Sequence, residues 1–241
     1  MDTVLTFISN NWMLLAGGAL GGLLGLLLSY KTLEKMLRMI GTSTGDIASL
    51  PSGEQVEVVG KVSGEINLQS PITKTPCALW QVVVSERRSS GKHSHWVTVY
   101  SNTSTAAFDV YDATGRMKVS PGPQTELILR DDVNKASGLF RPLDEQTQAA
   151  LNEMGVNTQG FLSLNKTMRV QERFIEQGDE IYVLGKTSAN FGARAMDSAS
   201  PLIVSDHSEM QLLGRFSWQV IITVLVGVFV GAMLSFFFTN R

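Results

Sequence analysis

The chain has 241 residues, 44% of them hydrophobic and 17% charged, with a net charge of −2 and one cysteine. That balance offers a polyanion such as nucleic acid no bulk attraction, and a lone cysteine excludes an intramolecular disulfide framework. The length suffices for one sizeable core or two small ones beside membrane spans.

Residues 12–30, WMLLAGGALGGLLGLLLSY, carry no acidic or basic side chain. At ~1.5 Å per helical residue the run reaches ~28 Å, close to the ~30 Å hydrocarbon core of a bilayer. No Lys or Arg precedes it and the positive charges follow it, the pattern of a span rather than a signal peptide. Residues 218–238 form a second such run. Gly17, Gly21, Gly25 and Ser29 recur every four residues, with Gly18 and Gly22 alongside, and Gly227 and Gly231 repeat that spacing in the second run. Such bare faces let helices approach closely, so these glycines are expected to pack helix on helix. The partner is either the other span or a second copy of the chain. Neither run holds an ionisable acid or base, which argues against ion or proton conduction.

After the first run, Leu33, Met36, Leu37 and Ile40 fall at helical spacing, with Lys31, Glu34, Lys35 and Arg38 on other faces and Gly41 as a stop. This predicts a membrane-surface stalk. Residues 41–53 are rich in turn formers and read as a linker. From Glu54 the period becomes two. EQVEVVGKV (54–62) is a predicted strand with Gly60 as a bulge. Strands over 77–86 and 95–101 form a hairpin through RRSSGKH, with Trp80, Trp96 and Tyr100 placed to stack across the pair. Strands over 106–112 and 116–121 flank a tight turn at 113–115, and 125–131 follows, ending in a turn at Asp131 and Asp132. Leu143, Ala150, Leu151 and Met154 share one face of a short amphipathic helix over 143–155, with Pro142 at its start and Gly155 at its end. Residues 168–177 and 180–187 bracket Gly178-Asp179 as a hairpin. The last strand is 201–205, with Asp206 or Ser208 as the cap of the helix that becomes the second span. The fold class is a membrane protein: two transmembrane α-helices flank a mostly β domain, barrel- or sandwich-like, with one short internal helix. The domains run 1–40, 41–205 and 206–241.

Chemistry-bearing residues are sparse. His93 and His95, two apart on a strand, face one side as paired metal ligands do, but they lie at a polar hairpin and are weak candidates. Cys77 follows Pro76 in an apolar strand and reads as a buried small hydrophobe. Residues 89–92 fit S-x-x-K without the motifs that accompany it in β-lactamases. Arg87, Arg88 and Lys92 at the hairpin tip could meet lipid phosphates, against the plain reading of a charged loop. No phosphate-cradling loop or dinucleotide fingerprint occurs. No catalytic residue, cofactor or metal is assigned.

The stretches VEVVGKVSG, SPITKTPCALWQVVV, FDVYDATGRMKVSP, ERFIEQGDEIYVLGK and PLIVSDHSEMQLL, in that order between two spans, resemble one family. It is the GIDE, or beside-a-membrane, domain of mitochondrial and chloroplast membrane ubiquitin ligases and their prokaryotic relatives. In the eukaryotic members the resemblance implies a zinc-binding RING after the second span, which carries the ligase activity. A RING holds two zincs with eight Cys or His ligands, whereas this sequence has Cys77, His93, His95 and His207. It is expected to be a prokaryotic-type member lacking the RING and to be no enzyme by itself.

The expected function is a non-catalytic, membrane-anchored interaction or scaffold module. Its partners would be the lipid bilayer and other membrane or membrane-associated proteins, a homo-oligomer being one arrangement. The alternatives are a RING-less adaptor of a ubiquitin-like conjugation system and an oligomeric channel or transport subunit. Lys31, Lys35, Arg38 and Arg215 flank the inner ends of the runs, so local charge places the β domain in the cytoplasm and both termini outside. The resemblance points the other way, to the intermembrane-space side of its mitochondrial relatives.

Overall fold

The glycine-rich N-terminal run is helical, as its uninterrupted apolar composition requires. A computed structural model of the chain describes residues 2–63, 68–160, 165–188, 195–197 and 201–239. The chain divides into two compact units, residues 1–43 with 209–241, and residues 44–208.

In the first unit, α1 (Asp2–Leu28) is kinked at Asn11, and α2 (Tyr30–Ile40) follows a break at Ser29. The Ser29 hydroxyl donates back to the Gly25 carbonyl at 2.9 Å, a bond that commonly bends helices. The third helix, α4 (Glu209–Thr239), packs along α1. Two segments, Asn11–Leu28 and Glu209–Phe238, are long and apolar enough to cross a membrane. In α2, Arg38 pairs with Glu34 one turn back, and Lys35 lies 5.9 Å from the Phe216 ring centroid.

The second unit is mostly β. A seven-stranded sheet has the order β10-β5-β4-β1-β9-β11-β6, and a four-stranded sheet the order β3-β2-β8-β7. The larger sheet contains β1 (Gln55–Ser63), β4 (Phe108–Tyr111), β5 (Arg116–Ser120), β6 (Glu126–Ile128), β9 (Glu180–Lys186), β10 (Ala195–Asp197) and β11 (Ile203–Ser205). The smaller contains β2 (Leu79–Ser90), β3 (His93–Thr103), β7 (Val133–Ala136) and β8 (Met168–Ile175). An isolated bridge from Thr187 to Met196 joins β10 to the chain just after β9. It links β9, β1, β4, β5 and β10 in a ring, the barrel-like part of the domain. Val56, Val58 and Val62 alternate into its core with Val110, Val119, Ile181 and Val183. The internal helix α3 (Glu145–Glu153) packs Ala150 and Leu151 with Ile72, Val82, Val84 and Val170 of a second core. Asp144 caps α3 by accepting from the Thr147 amide at 3.0 Å, and Gly155, at φ +73°, ends the segment.

Several expectations are corrected. Gly60 is not a bulge: its register with Ile181 of β9 is unbroken, and the irregularity lies at Val84/Ser85. Glycine is required at 60 because a Cβ there would sit 2.7 Å from the Tyr111 carbonyl and 2.7 Å from Val110 Cγ1. Strands β8 and β9 do not form a hairpin, since β8 pairs with β2 and β7 while β9 pairs with β1 and β11. The tight Gly178-Asp179 turn instead bonds to β1, exchanging Gly178 N–H and Asp179 C=O with Val62, and becomes a corner between sheets. Residues 44–53 are no free linker. Ile47 is fully buried in a 3-10 turn whose amides donate to Asp112 and Thr114. Trp80, Trp96 and Tyr100 do not stack on each other: Trp80 lies opposite Phe174, Trp96 opposite Arg87, and Tyr100 opposite Val84. Asp206 accepts from the Arg130 amide and lies 2.7 Å from His207 Nδ1.

Candidate functional site

In the helical unit the candidate residues are the small ones. Gly17, Gly21 and Gly25 of α1 face Gly231, Gly227 and Thr223 of α4 in turn. A Cβ on Gly21 would fall inside contact distance of the Gly227 carbonyl, one on Gly25 would meet the Thr223 carbonyl at 2.8 Å, and one on Gly17 the Gly231 carbonyl at 2.6 Å. For Gly21 and Gly25 the nearest obstacle is backbone, which cannot swing aside as a side chain can, whereas at Gly17 the Ser235 hydroxyl stands nearer than the Gly231 carbonyl. Gly227 and Gly231 meet Gly21 and Gly17 reciprocally.

In the β unit the hairpin is longer than its sequence suggests. Strand pairing continues to Ser90↔His93, leaving Gly91-Lys92 as a two-residue turn with Gly91 at φ +60°. Every residue from Arg87 to Trp96 is exposed, so this end of the ribbon belongs to no core. His93 and His95 share one face opposite Ser90 and Arg88, and the neighbouring guanidinium is a poor companion for a cation. Among the described residues no group of three or more His, Cys, Asp or Glu is placed to hold a metal. On the other face, Arg169 stacks on Trp96 at 4.7 Å from the ring centroid, and Arg87 donates twice to the Ser94 hydroxyl. Lys92 sits in the turn beside Ser89 and Ser90, exposed to water, unlike the enclosed lysine S-x-x-K chemistry needs.

Cys77 is fully buried, and burial, with Glu172 and Glu176 adding negative field, pushes its thiol up to about 12. It is an inert packing residue. Glu172, unremarked by the sequence reading, is fully buried as well. Its Oε1 accepts from the Ile72 amide at 2.7 Å, and its Oε2 from the Thr73 amide and hydroxyl at 3.1 and 2.7 Å. Gln146 Nε2 adds a bond to the Ile72 carbonyl. The signal was present: in MRVQERFI, Glu172 occupies the inward register of Met168 and Val170, where an apolar residue belongs. The arrangement clasps the 70–75 segment onto the sheet, a structural task.

Asp131 and Asp132 tie the start of β7 to β8. Asp131 pairs with Arg173 at 2.6 Å and Asp132 accepts from the Phe174 amide. Desolvation opposes ionisation of Asp131, but hydrogen bonds from Arg173 and Gln171 outweigh it and lower its pKa. At Asp132 desolvation prevails and raises it.

The described residues thus form a mostly β unit of two small cores, flanked in sequence by two helices long and apolar enough to span a bilayer. The GIDE family, described as E3 ubiquitin ligase, matches residues 81–236, from β2 to near the end of α4. The match covers well over half of the chain, and the chain belongs to this family. Comparison with curated proteins gave no match, and comparison with solved structures gave none.

Proposed function

We propose that the chain is a membrane-anchored interaction module of an E3-ligase-related family, holding its β domain beside the bilayer to engage another protein. The observation that carries this reading is the pairing of family membership with ligand inventory. The GIDE match is present, yet these 241 residues hold one cysteine and three histidines, half the ligands of a RING. The two apolar helices support the anchoring. The glycine faces of α1 and α4 support close packing of those helices within one chain, which frees the β domain for partners. The β domain is proposed to lie in the cytoplasm with both termini outside, on the strength of Lys31, Lys35, Arg38 and Arg215.

A second reading follows from the family description: a RING-less adaptor for a conjugation system whose catalytic part is another chain. Purification from native membranes in mild detergent, with identification of co-purifying proteins, separates the two. Recovery of unrelated membrane proteins in fixed stoichiometry is the expected result. Recovery of ubiquitin-like conjugating enzymes favours the adaptor, and autonomous ubiquitin transfer by the purified chain would overturn both.

A further inference from the structure

The register of the four-stranded sheet gathers two exposed tips at one end. Strand β2 runs toward the Gly91-Lys92 turn, β8 begins at that end with Glu86↔Met168, and β7 finishes there with Ala136↔Arg169. The turn after β7 therefore lies at the same end as the β2–β3 tip. That second turn is Leu139-Phe140, closed by reciprocal backbone bonds between Gly138 and Arg141. Leu139 is 46% exposed and Phe140 89% exposed. A phenylalanine held outward by a two-residue turn, with no packing partner to gain, is costly to leave in water.

Cations outnumber carboxylates at this end. Arg87, Arg88, Lys92, Arg141, Lys166 and Arg169 are gathered there by the same register. Glu86 is shared by Arg88 and Lys166, and Asp144 is bonded to Lys135. The opposite end of the same sheet carries Asp131, Asp132 and Glu176, with Arg173 already paired to Asp131. The sheet is thus polarised end to end, basic and apolar at one tip and acidic at the other. A uniformly acidic protein surface would satisfy the cations and leave Phe140, Leu139 and Trp96 in water. A bilayer interface with anionic headgroups satisfies both, since aromatic and aliphatic side chains settle at headgroup level and phosphates meet Lys and Arg.

We propose that the Arg87–Trp96 hairpin and the Leu139-Phe140 turn form one membrane-docking rim that binds anionic phospholipid headgroups. The proposal rests on the membrane-anchored reading above and adds a second, reversible contact to it. Arg87, steadied by Ser94, and Arg169, stacked on Trp96, present fixed guanidinium edges to phosphate. Phe140 and Leu139 enter the interface beside them. Each cation near the surface contributes roughly fivefold in partition, and the attraction falls off within a Debye length.

The test uses the full chain reconstituted into vesicles of phosphatidylcholine alone or mixed with phosphatidylglycerol. A nitroxide is attached at Leu139→Cys, which labels selectively because Cys77 is buried. In the mixed vesicles the nitroxide is expected to gain collisions with oxygen and lose them with a water-soluble nickel chelate. In phosphatidylcholine, at high salt, or with Arg87→Glu and Arg141→Glu combined, that protection is expected to be lost. A control nitroxide at Glu176→Cys stays in water throughout. Equal nickel access at position 139 in both vesicles, with the chain resistant to carbonate extraction, overturns the rim while leaving the tether intact. It would direct attention to an acidic protein partner. Extraction of the chain by carbonate overturns the tether and the rim with it, and lipid protection at both labels overturns the polarity on which the rim is built.

Discussion

Glu172 and Ile72, 100 residues apart in sequence and both fully buried, are joined by a 2.7 Å hydrogen bond from the Ile72 amide to the Glu172 carboxyl. Through it the 70–75 segment, with Lys74 at φ +60°, is fixed against β8, and Ile72 is seated in the core over α3. One side chain thereby replaces a backbone ladder that this irregular segment cannot make.

Removing that side chain should cost more than its volume implies. Glu172→Ala strands the Ile72 and Thr73 amides, at ~1–3 kcal/mol for each unsatisfied group, while the Thr73 hydroxyl keeps Ser70 and Thr75 as partners. Glu172→Gln presents an NH2 toward one donor and should cost ~2 kcal/mol, and Thr73→Val about 1. Thermal unfolding in detergent, followed by near-ultraviolet circular dichroism, is expected to give that order. Each kcal/mol lowers Tm by about 2–4 °C in a domain of this size. Equal stability of the three variants would show that the clasp is incidental.

Acid stability has an assignable limb. At Asp112 desolvation raises the pKa, but bonds from the Ile47, Thr114 and Gly115 amides and the Thr114 hydroxyl prevail and hold it at about 2. At Asp144 the Lys135 bond leads, desolvation opposes it, and the Thr147 bonds complete a shift to about 2. Both values lie below the ordinary 3.8, so the folded state binds these protons less readily than the unfolded one. Their contribution is present above pH 4 and fades as pH falls toward 2. Asp144 is nearly half exposed, so screening leaves it a small share. Replacing both with Asn should lower stability at neutral pH and flatten the loss between about pH 4 and 2, read from denaturant midpoints across that range.

The sequence made the two apolar helices, α3 and most strands legible because each depends on local periodicity. Val56, Val58 and Val62 alternate, and Ala150 and Leu151 sit on one helical stripe, whatever lies far away. What stayed hidden depends on distant partners. The Gly178-Asp179 turn looks like a hairpin because turn chemistry is local, yet its backbone bonds go to Val62 and send β8 and β9 into different sheets. The three-residue β10 and four-residue β7 are too short to show a period. The basic hairpin residues could be named from sequence. Their gathering with Leu139 and Phe140 required the β2–β8–β7 register.

The helix seam makes a graded forecast rather than a single disruptive one. Gly21→Ala should already disturb α1 and α4, because even a methyl meets the Gly227 carbonyl, and Gly21→Ile or Gly227→Ile should do so severely. Gly18→Ala has its nearest atom at 3.6 Å and Gly214→Ala has none within 4 Å, so both should be tolerated. Thermal stability and oligomer size in detergent would check this. If Gly21→Ile and Gly227→Ile match the unmodified chain, the glycines do not organise the helices.

The side of the membrane occupied by the β domain can be read with one new thiol. Cys77 is fully buried with its thiol pushed up to about 12, so it supplies no background and can be left in place. Lys92 occupies the exposed turn of the hairpin, where a cysteine breaks no backbone bond and Gly91 keeps its positive φ. The local charges Lys31, Lys35, Arg38 and Arg215 favour the cytoplasm, although a connection of this length can be translocated largely regardless of charge. Intact cells carrying Lys92→Cys should therefore resist a membrane-impermeant maleimide and label after lysis. Labelling before lysis would place the domain outside and reverse the proposed orientation. The unmodified chain should stay unlabelled before and after lysis and label on denaturation, which checks the burial of Cys77 in the same experiment.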